Sequence, residues 1–232
     1  MRRDDEFSQN TKEKLAARVG YRCSFPNCRG VDAMHAVRDC VIEIVRNART
    51  HGLARTVTVS ISGRCVSIVD DGAAFDVWSL CGTEAETGGT LAISHLLDYY
   101  REHIVLSSYR ADESNHVTIS LVRSSEDVRN ATPCHLEFTL DDLREDASPH
   151  FIERGCHAIY IILPPYISPS DSSKLSTQLH WLRRDGRPLI FIAENISRVV
   201  RKRMLRLFPG ARVMLADSAE WVEDPFMFDG SP

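Results

Sequence analysis

Residues 40–52 read CVIEIVRNARTHG, the second half of a helix pattern that starts near Val31 and is closed by Gly52. Met34, Val37, Val41, Ile44, Val45 and Ala48 recur at helical spacing and form one apolar stripe. At about 100° per residue, Glu43 and Asn47 point nearly the same way, and His51 continues the row one turn later. The row flanks the stripe instead of opposing it, so its members belong at the rim of a core, where a cleft forms. Two readings fit: a solvated helix face, or polar groups turned toward a bound ligand.

Working outward, TVTVSISGRCVSIVDDG (56–72) is two alternating strands joined at Ser62-Gly63. AAFDVWSLCGTEAETGG (73–89) is a polar loop of small residues, TLAISHLLDYYREH (90–103) is helical, and IVLSSYRADESNHVTISLVR (104–123) is a second hairpin turning at Ala111 to Asn115. SSEDVRNAT (124–132) is short and polar and marks a domain boundary. Beyond it strands CHLEFTL, CHAIYIILP, RPLIFIAE and ARVMLAD alternate with helix patterns, including SPSDSSKLSTQLHWLRRDG (168–186) and NISRVVRKRMLRLF (195–208). That alternation implies right-handed crossovers and a largely parallel sheet. The expected fold class is α/β: an α+β sandwich over 31–125 followed by a small α/β domain over 133–225, with residues 1–30 as a separate arm.

Composition narrows the function classes. The chain of 232 residues has a formal charge of only −4, so no global field points to nucleic acid or to a membrane. No apolar run approaches the ~18 residues of a spanning helix, and MRRDDEFSQN has no apolar signal core behind its arginines. Seven cysteines, an odd number mostly embedded in apolar runs, read as reduced, buried thiols of a cytoplasmic protein. Arg198, Arg201, Lys202, Arg203 and Arg206 make one basic helix face, read as solvated surface. Trp78, Trp181 and Trp221 read as packing anchors.

Two further signals bear on the row of Glu43 and Asn47. IVDDGAAFD (68–76) is a strand ending in an acid, then Gly72, then small residues that let a ligand approach the backbone. An Asp at such a strand end accepts a hydrogen bond from an exocyclic amine such as that of adenine; the plain alternative is an Asp-Gly turn. ETGGTLAIS (86–94) places Gly88 and Gly89 ahead of a helix, whose free N–H groups and dipole favour phosphate.

In order, the helix with E-x-x-x-N, the strand with D-x-G, the polar loop, the GG-helix and the closing hairpin resemble the histidine kinase-like (GHKL) ATP-binding domain. EIVRNARTHG and DDGAAFD look most like the anti-sigma-factor serine kinase branch. The resemblance covers roughly residues 31–123 and implies ATP and Mg²⁺ as ligands. It implies that Asn47 coordinates Mg²⁺, that Glu43 orients or deprotonates the attacking hydroxyl or water, and that Asp70 binds the adenine amine. Gly72 would give backbone room, Gly88 and Gly89 would hinge the lid and face the phosphates, and Thr118 would support adenine from the last strand. Ala74 stands where many members have a second glycine, and GGTLAIS replaces the more frequent Gly-Leu pair, so ATP binding is more firmly implied than turnover.

The strand, Asp171-Ser172-Ser173, helix, Asp-Gly, strand, helix order over about 133–223 resembles the STAS fold of anti-anti-sigma factors. A plain capping acid at a helix start is the alternative. The resemblance implies Ser173 as phosphoacceptor, with Ser172 the second choice and phosphate at a helix N-terminus. Lys174 replaces the usual glycine. The implied partner is a sigma-factor-like or STAS-type protein, or a second copy of the chain. The rival reading is a non-kinase GHKL module that gates a partner, a nuclease or DNA through its lid and arm. The arm, FSQNTKEKLAARVGYRCSFPNCR, resembles the leader of some bacterial HNH-type nucleases without their core, and Cys23 and Cys28 offer half of a tetrahedral zinc site.

Overall fold

The structure, a computed structural model, describes residues 29–80, 92–94, 96–97, 103–122, 124–144, 155–182 and 186–215. The arm with Cys23 and Cys28, the glycines Gly88 and Gly89, and Trp221 lie outside them. Helix α1 (Arg29–Thr50) is the long helix expected, and Ala36, Val37, Cys40, Ile44, Val45 and Ala48 are its buried side. It leads into an antiparallel sheet of β1 (Val57–Ser62), β2 (Cys65–Asp70), β3 (Ile104–Ala111) and β4 (Ser114–Leu121), in the order β1-β2-β4-β3. Between β2 and β3 come a 3-10 turn, Val77–Leu80, and helical residues at 92–94 and 96–97.

Strand alternation decides which side chains meet. Val66, Ile68 and Asp70 are the buried residues of β2, and their antiparallel partners on β4 are Ile119, Val117 and Asn115. Paired residues point to the same side of a sheet and neighbours along a strand to opposite sides. One side of this sheet therefore presents Val66, Ile68, Asp70, Asn115, Val117 and Ile119. The β3–β4 hairpin turns on Asp112 and Glu113, both at positive φ, 47° and 62°, between the paired Ala111 and Ser114. Two left-handed residues in a two-residue loop match the right-handed twist of the flanking strands.

The polar stretch at 124–132 is not a bare linker. It folds as helix α2 (Ser125–Ala131), with Ser124 as N-cap and Asp127 completing a reciprocal capping box. Val128 and Ala131 are buried from it. Ser125 Oγ donates to Glu194, which ties the start of α2 to the following sheet.

That second sheet contains β5 (His135–Glu137), β6 (Ile159–Ile162), β7 (Leu189–Ala193) and β8 (Arg212–Leu215), all parallel and in sequence order. Helices α3 (Leu140–Arg144), α4 (Pro169–Gln178) and α5 (Arg198–Leu207) lie between the strands in sequence. Same-hand crossovers between adjacent parallel strands place such helices on one face. The burial agrees: Ile159, Ile161, Leu189 and Phe191 share a core with Leu143, Leu175, Leu179, Val200 and Met204. The alternate residues Tyr160, Ile162, Ile190 and Ile192 face the other way, into one core with Val105, Val117, Val128 and Ile44. Both faces are covered, which is why these strands are apolar throughout. The architecture is mixed α and β with two sheets, as expected at that level.

The sheets also join at an edge. Residues 155–157 run beside the outer side of β3, with Arg110 N donating to Gly155 O at 3.1 Å and His157 N donating to Ser108 O at 3.0 Å. A Cβ on Gly155 would stand 2.1 Å from Arg110 O, so this close approach requires glycine. The buried Tyr160 hydroxyl donates to Leu106 O at 2.7 Å, linking β6 to β3. Cys134 and Cys156 form a disulfide across the same seam. This corrects the reading of seven reduced thiols: both sulfurs are buried between β5 and the β3 edge, close enough to bond. No helix among the described residues is long and apolar enough to cross a membrane.

Candidate functional site

The C-terminal end of α1 and the turn after β2 are built against each other. Gly52 N donates to Asn47 O, and Ala73 N donates to Gly52 O at 2.8 Å, so two backbone hydrogen bonds connect the turn of Asn47 to the turn of Asp70. Gly72 fits only because it lacks a Cβ, which would stand 2.8 Å from Gly52 O and 2.9 Å from Asp70 Oδ1. Asp71 braces the same junction from outside, its Oδ1 accepting from Arg55 N and Thr56 N at 2.8 and 2.9 Å. These bonds, that from Thr56 foremost, hold its carboxyl below the usual carboxylate range.

Asp70 is 3 % exposed. Its Oδ1 accepts from Gly72 N and from Asn115 Nδ2, both at 2.9 Å. The same Nδ2 donates to Ala73 O at 2.8 Å, and Asn115 Oδ1 accepts from Phe75 N at 3.2 Å and from the Arg110 guanidinium at 2.8 Å. Arg110 also donates to Gly72 O at 3.2 Å. A buried carboxylate, an amide and a guanidinium thus organise the loop from Gly72 to Phe75, and no partner of Asp70 Oδ2 is found among the described residues.

Of the residues the sequence singled out, Glu43, Asn47, Asp70 and Gly72 come to this end of α1 and β2. The Glu43 side chain is 14 % exposed and pairs with the more exposed Arg46. Asn47 is half-buried and His51 exposed. Thr118 is not brought to Asp70. It pairs with Ser67, three positions along the ladder from the Asp70–Asn115 pair, and that odd separation turns it to the opposite side of the sheet. The strand residue that meets Asp70 is Asn115. Gly88 and Gly89 lie outside the described residues.

A relay does not form beside this site, although Ser108, His157 and Asp76 approach one another. Ser108 Oγ lies 2.9 Å and Asp76 Oδ1 3.5 Å from the same ring atom, His157 Nδ1. A proton relay needs opposite ring nitrogens, so this is a structural tie between β3, the β6 approach and the loop. A cavity of about 270 Å³ lined by Arg64, Cys65, Ser120, Asp127 and Asn130 sits on the face of the sheet away from Asp70. Burial pushes the Cys65 thiol up, which lowers its thiolate fraction there.

In the second sheet, Asp171 is a capping acid. Ser168 is the N-cap of α4, and Asp171 returns the bond to complete a capping box. Ser173 is therefore the fifth residue of the helix (Pro169–Gln178) and lies beyond the free amides of its N-terminus, contrary to the expectation. Its Oγ accepts from the Arg203 guanidinium of α5 at 2.6 Å. Ser172 is buried and donates to Pro169 O at 2.7 Å. The sequence matches no protein-family model, no curated protein and no solved structure.

Proposed function

We propose that the chain is an ATP-binding regulatory switch in which the C-terminal half of α1 and the Asp70–Gly72 turn hold a magnesium-bound adenine nucleotide. The observation that carries the reading is the pair formed by Asp70 and Gly72. Among the described residues the bonds to the buried Asp70 carboxylate fall on Oδ1, beside a backbone stretch where a single Cβ would not fit. That combination suits a planar base presenting an amine.

In this reading Asn47 would hold Mg²⁺ through its amide oxygen, and the cation would offset the negative charge of the phosphates. Among the described residues no cluster of three or more His, Cys, Asp or Glu side chains is arranged for a metal. Glu43 orients the attacking hydroxyl or water, and its pairing with Arg46 holds the carboxylate on the α1 surface until a substrate takes that place. The bound triphosphate supplies the transferable phosphoryl group. The finer architecture proposed is a GHKL-type sandwich around the first sheet and a STAS-like unit around the second, with nucleotide state governing association with a protein partner.

Two versions of the switch differ in the fate of the phosphoryl group. In the kinase version Ser173 receives it, and Arg203 stands ready to meet the new charge. In the other version nucleotide binding gates a partner without phosphorylating the chain. Ser173 in the second helical turn, held by Arg203 and followed by Lys174, favours the second. Incubation with γ-labelled ATP, with and without Ser173→Ala, separates them. Label on the wild-type chain that the variant loses supports the kinase version, and label only in free phosphate supports gating.

A further inference from the structure

We infer that Asn115 is a positioning residue that makes Asp70 a one-sided acceptor and so sets which base the site takes; this rests on the nucleotide reading above. Asn115 stands directly opposite Asp70 in the β2–β4 ladder. Its Nδ2 donates to Asp70 Oδ1 and Ala73 O, and its Oδ1 accepts from Phe75 N and Arg110. The amide has one workable orientation. Exchanging its N and O would set oxygen against the Asp70 carboxylate and the Ala73 carbonyl, and NH₂ against the Phe75 N–H and the guanidinium.

With Gly72 N, Asn115 gives Asp70 Oδ1 two donors and fixes the plane of the carboxylate. Oδ2 is then the oxygen left to accept from a ligand. A base with an exocyclic amine at that point completes the bond. A base with a carbonyl there sets acceptor against acceptor in a buried place and is rejected. Arg110 bonds both Asn115 and Gly72 O, so the carboxylate and the glycine cradle are held as one piece.

The test is calorimetric binding of Mg-ATP and of Mg-inosine triphosphate, which carries a carbonyl in place of the amine. It uses the full chain as wild type, Asn115→Leu and Asn115→Asp, each checked for folding by its melting transition. Wild type is expected to prefer ATP by about tenfold or more. Asn115→Leu should bring the two affinities together. Asn115→Asp should bind ATP poorly near about pH 8, where two carboxylates face each other, and recover near about pH 5.5, where one shared proton restores the donor. A purely structural role gives no such recovery, and the Asp variant decides the matter if the Leu variant does not fold. If wild type binds neither nucleotide, the nucleotide reading fails. If wild type binds ATP but does not discriminate, or the variants discriminate as wild type does at every pH, the role of Asn115 is overturned while ATP binding stands.

Discussion

The Arg212 guanidinium of β8 lies over the ring of Trp78, 5.6 Å from its centroid. Trp78 belongs to the 3-10 turn that follows the Gly72–Phe75 loop, and Arg212 to the edge of the parallel sheet. The turn that follows the candidate site's loop is therefore in contact with the second sheet through a cation on an aromatic face. Arg212→Gln should cost about 0.5–2 kcal/mol, the range for such contacts from exposed to desolvated. Urea unfolding measures it, and an unchanged midpoint would remove this contact from the account.

The seam at β3 is stapled by Cys134–Cys156, with 22 residues of sequence separation. Closing a loop of that size restricts the unfolded chain and is worth about 2–4 kcal/mol. Cys134→Ser with Cys156→Ser should lower stability by that order, and reductant should lower the wild-type melting temperature while leaving the double variant unaffected. Equal melting curves with and without reductant would show that the bridge contributes nothing.

A pH dependence follows from Glu137. The Arg129 guanidinium, 2.5 Å away, donates to its carboxylate and holds it below the usual carboxylate range. A group whose folded value is depressed contributes stability above its unfolded value and loses it as pH falls through the folded one. Glu137→Gln should therefore flatten the acid side of the stability profile, below about pH 4.5, and weaken the chain slightly at neutral pH. The two carboxylate–arginine contacts are largely exposed, so the effect is small and shrinks with added salt. An acid slope identical to wild type would contradict it.

The serines of α4 should separate by role. Ser168→Ala removes the N-cap and its capping box and should cost about 1 kcal/mol. Ser173→Ala leaves the cap intact and removes one contact from Arg203, so its cost should be smaller. Thermal unfolding of the two variants checks the order, and a larger loss at Ser173 would reverse the assignment.

The apolar rhythm of the chain made most elements legible. The stripe on 31–52, the two hairpins and the alternating second half appear as α1, β1 to β4 and β5 to β8. Helix α2 was missed because its seven residues expose a polar face and bury few side chains. The shared core could not be read either, since strands buried on both sides show no alternation to say which face meets which partner. Within the candidate site, contacts were legible where residues lie close in sequence, as Asp70 and Gly72 do. Asn115 was not, because Asp70 meets it only through β2–β4 pairing, which skips a strand in chain order. The hairpin turn did offer a signal: it sets Asn115 opposite Arg110, a cation beside an amide on one face. Thr118 is set apart from Asp70 by strand phase, which reverses the side of the sheet a side chain faces.

The most direct measurement is calorimetric titration of the full chain with Mg-ATP, beside Asn47→Ala and Asp70→Asn. The account predicts saturable binding by the wild type at one site per chain. It also predicts loss of most Mg-dependent affinity in Asn47→Ala, and a loss in Asp70→Asn of about tenfold or more. No heat of binding in the folded wild type, or unchanged affinity in both variants, would contradict it.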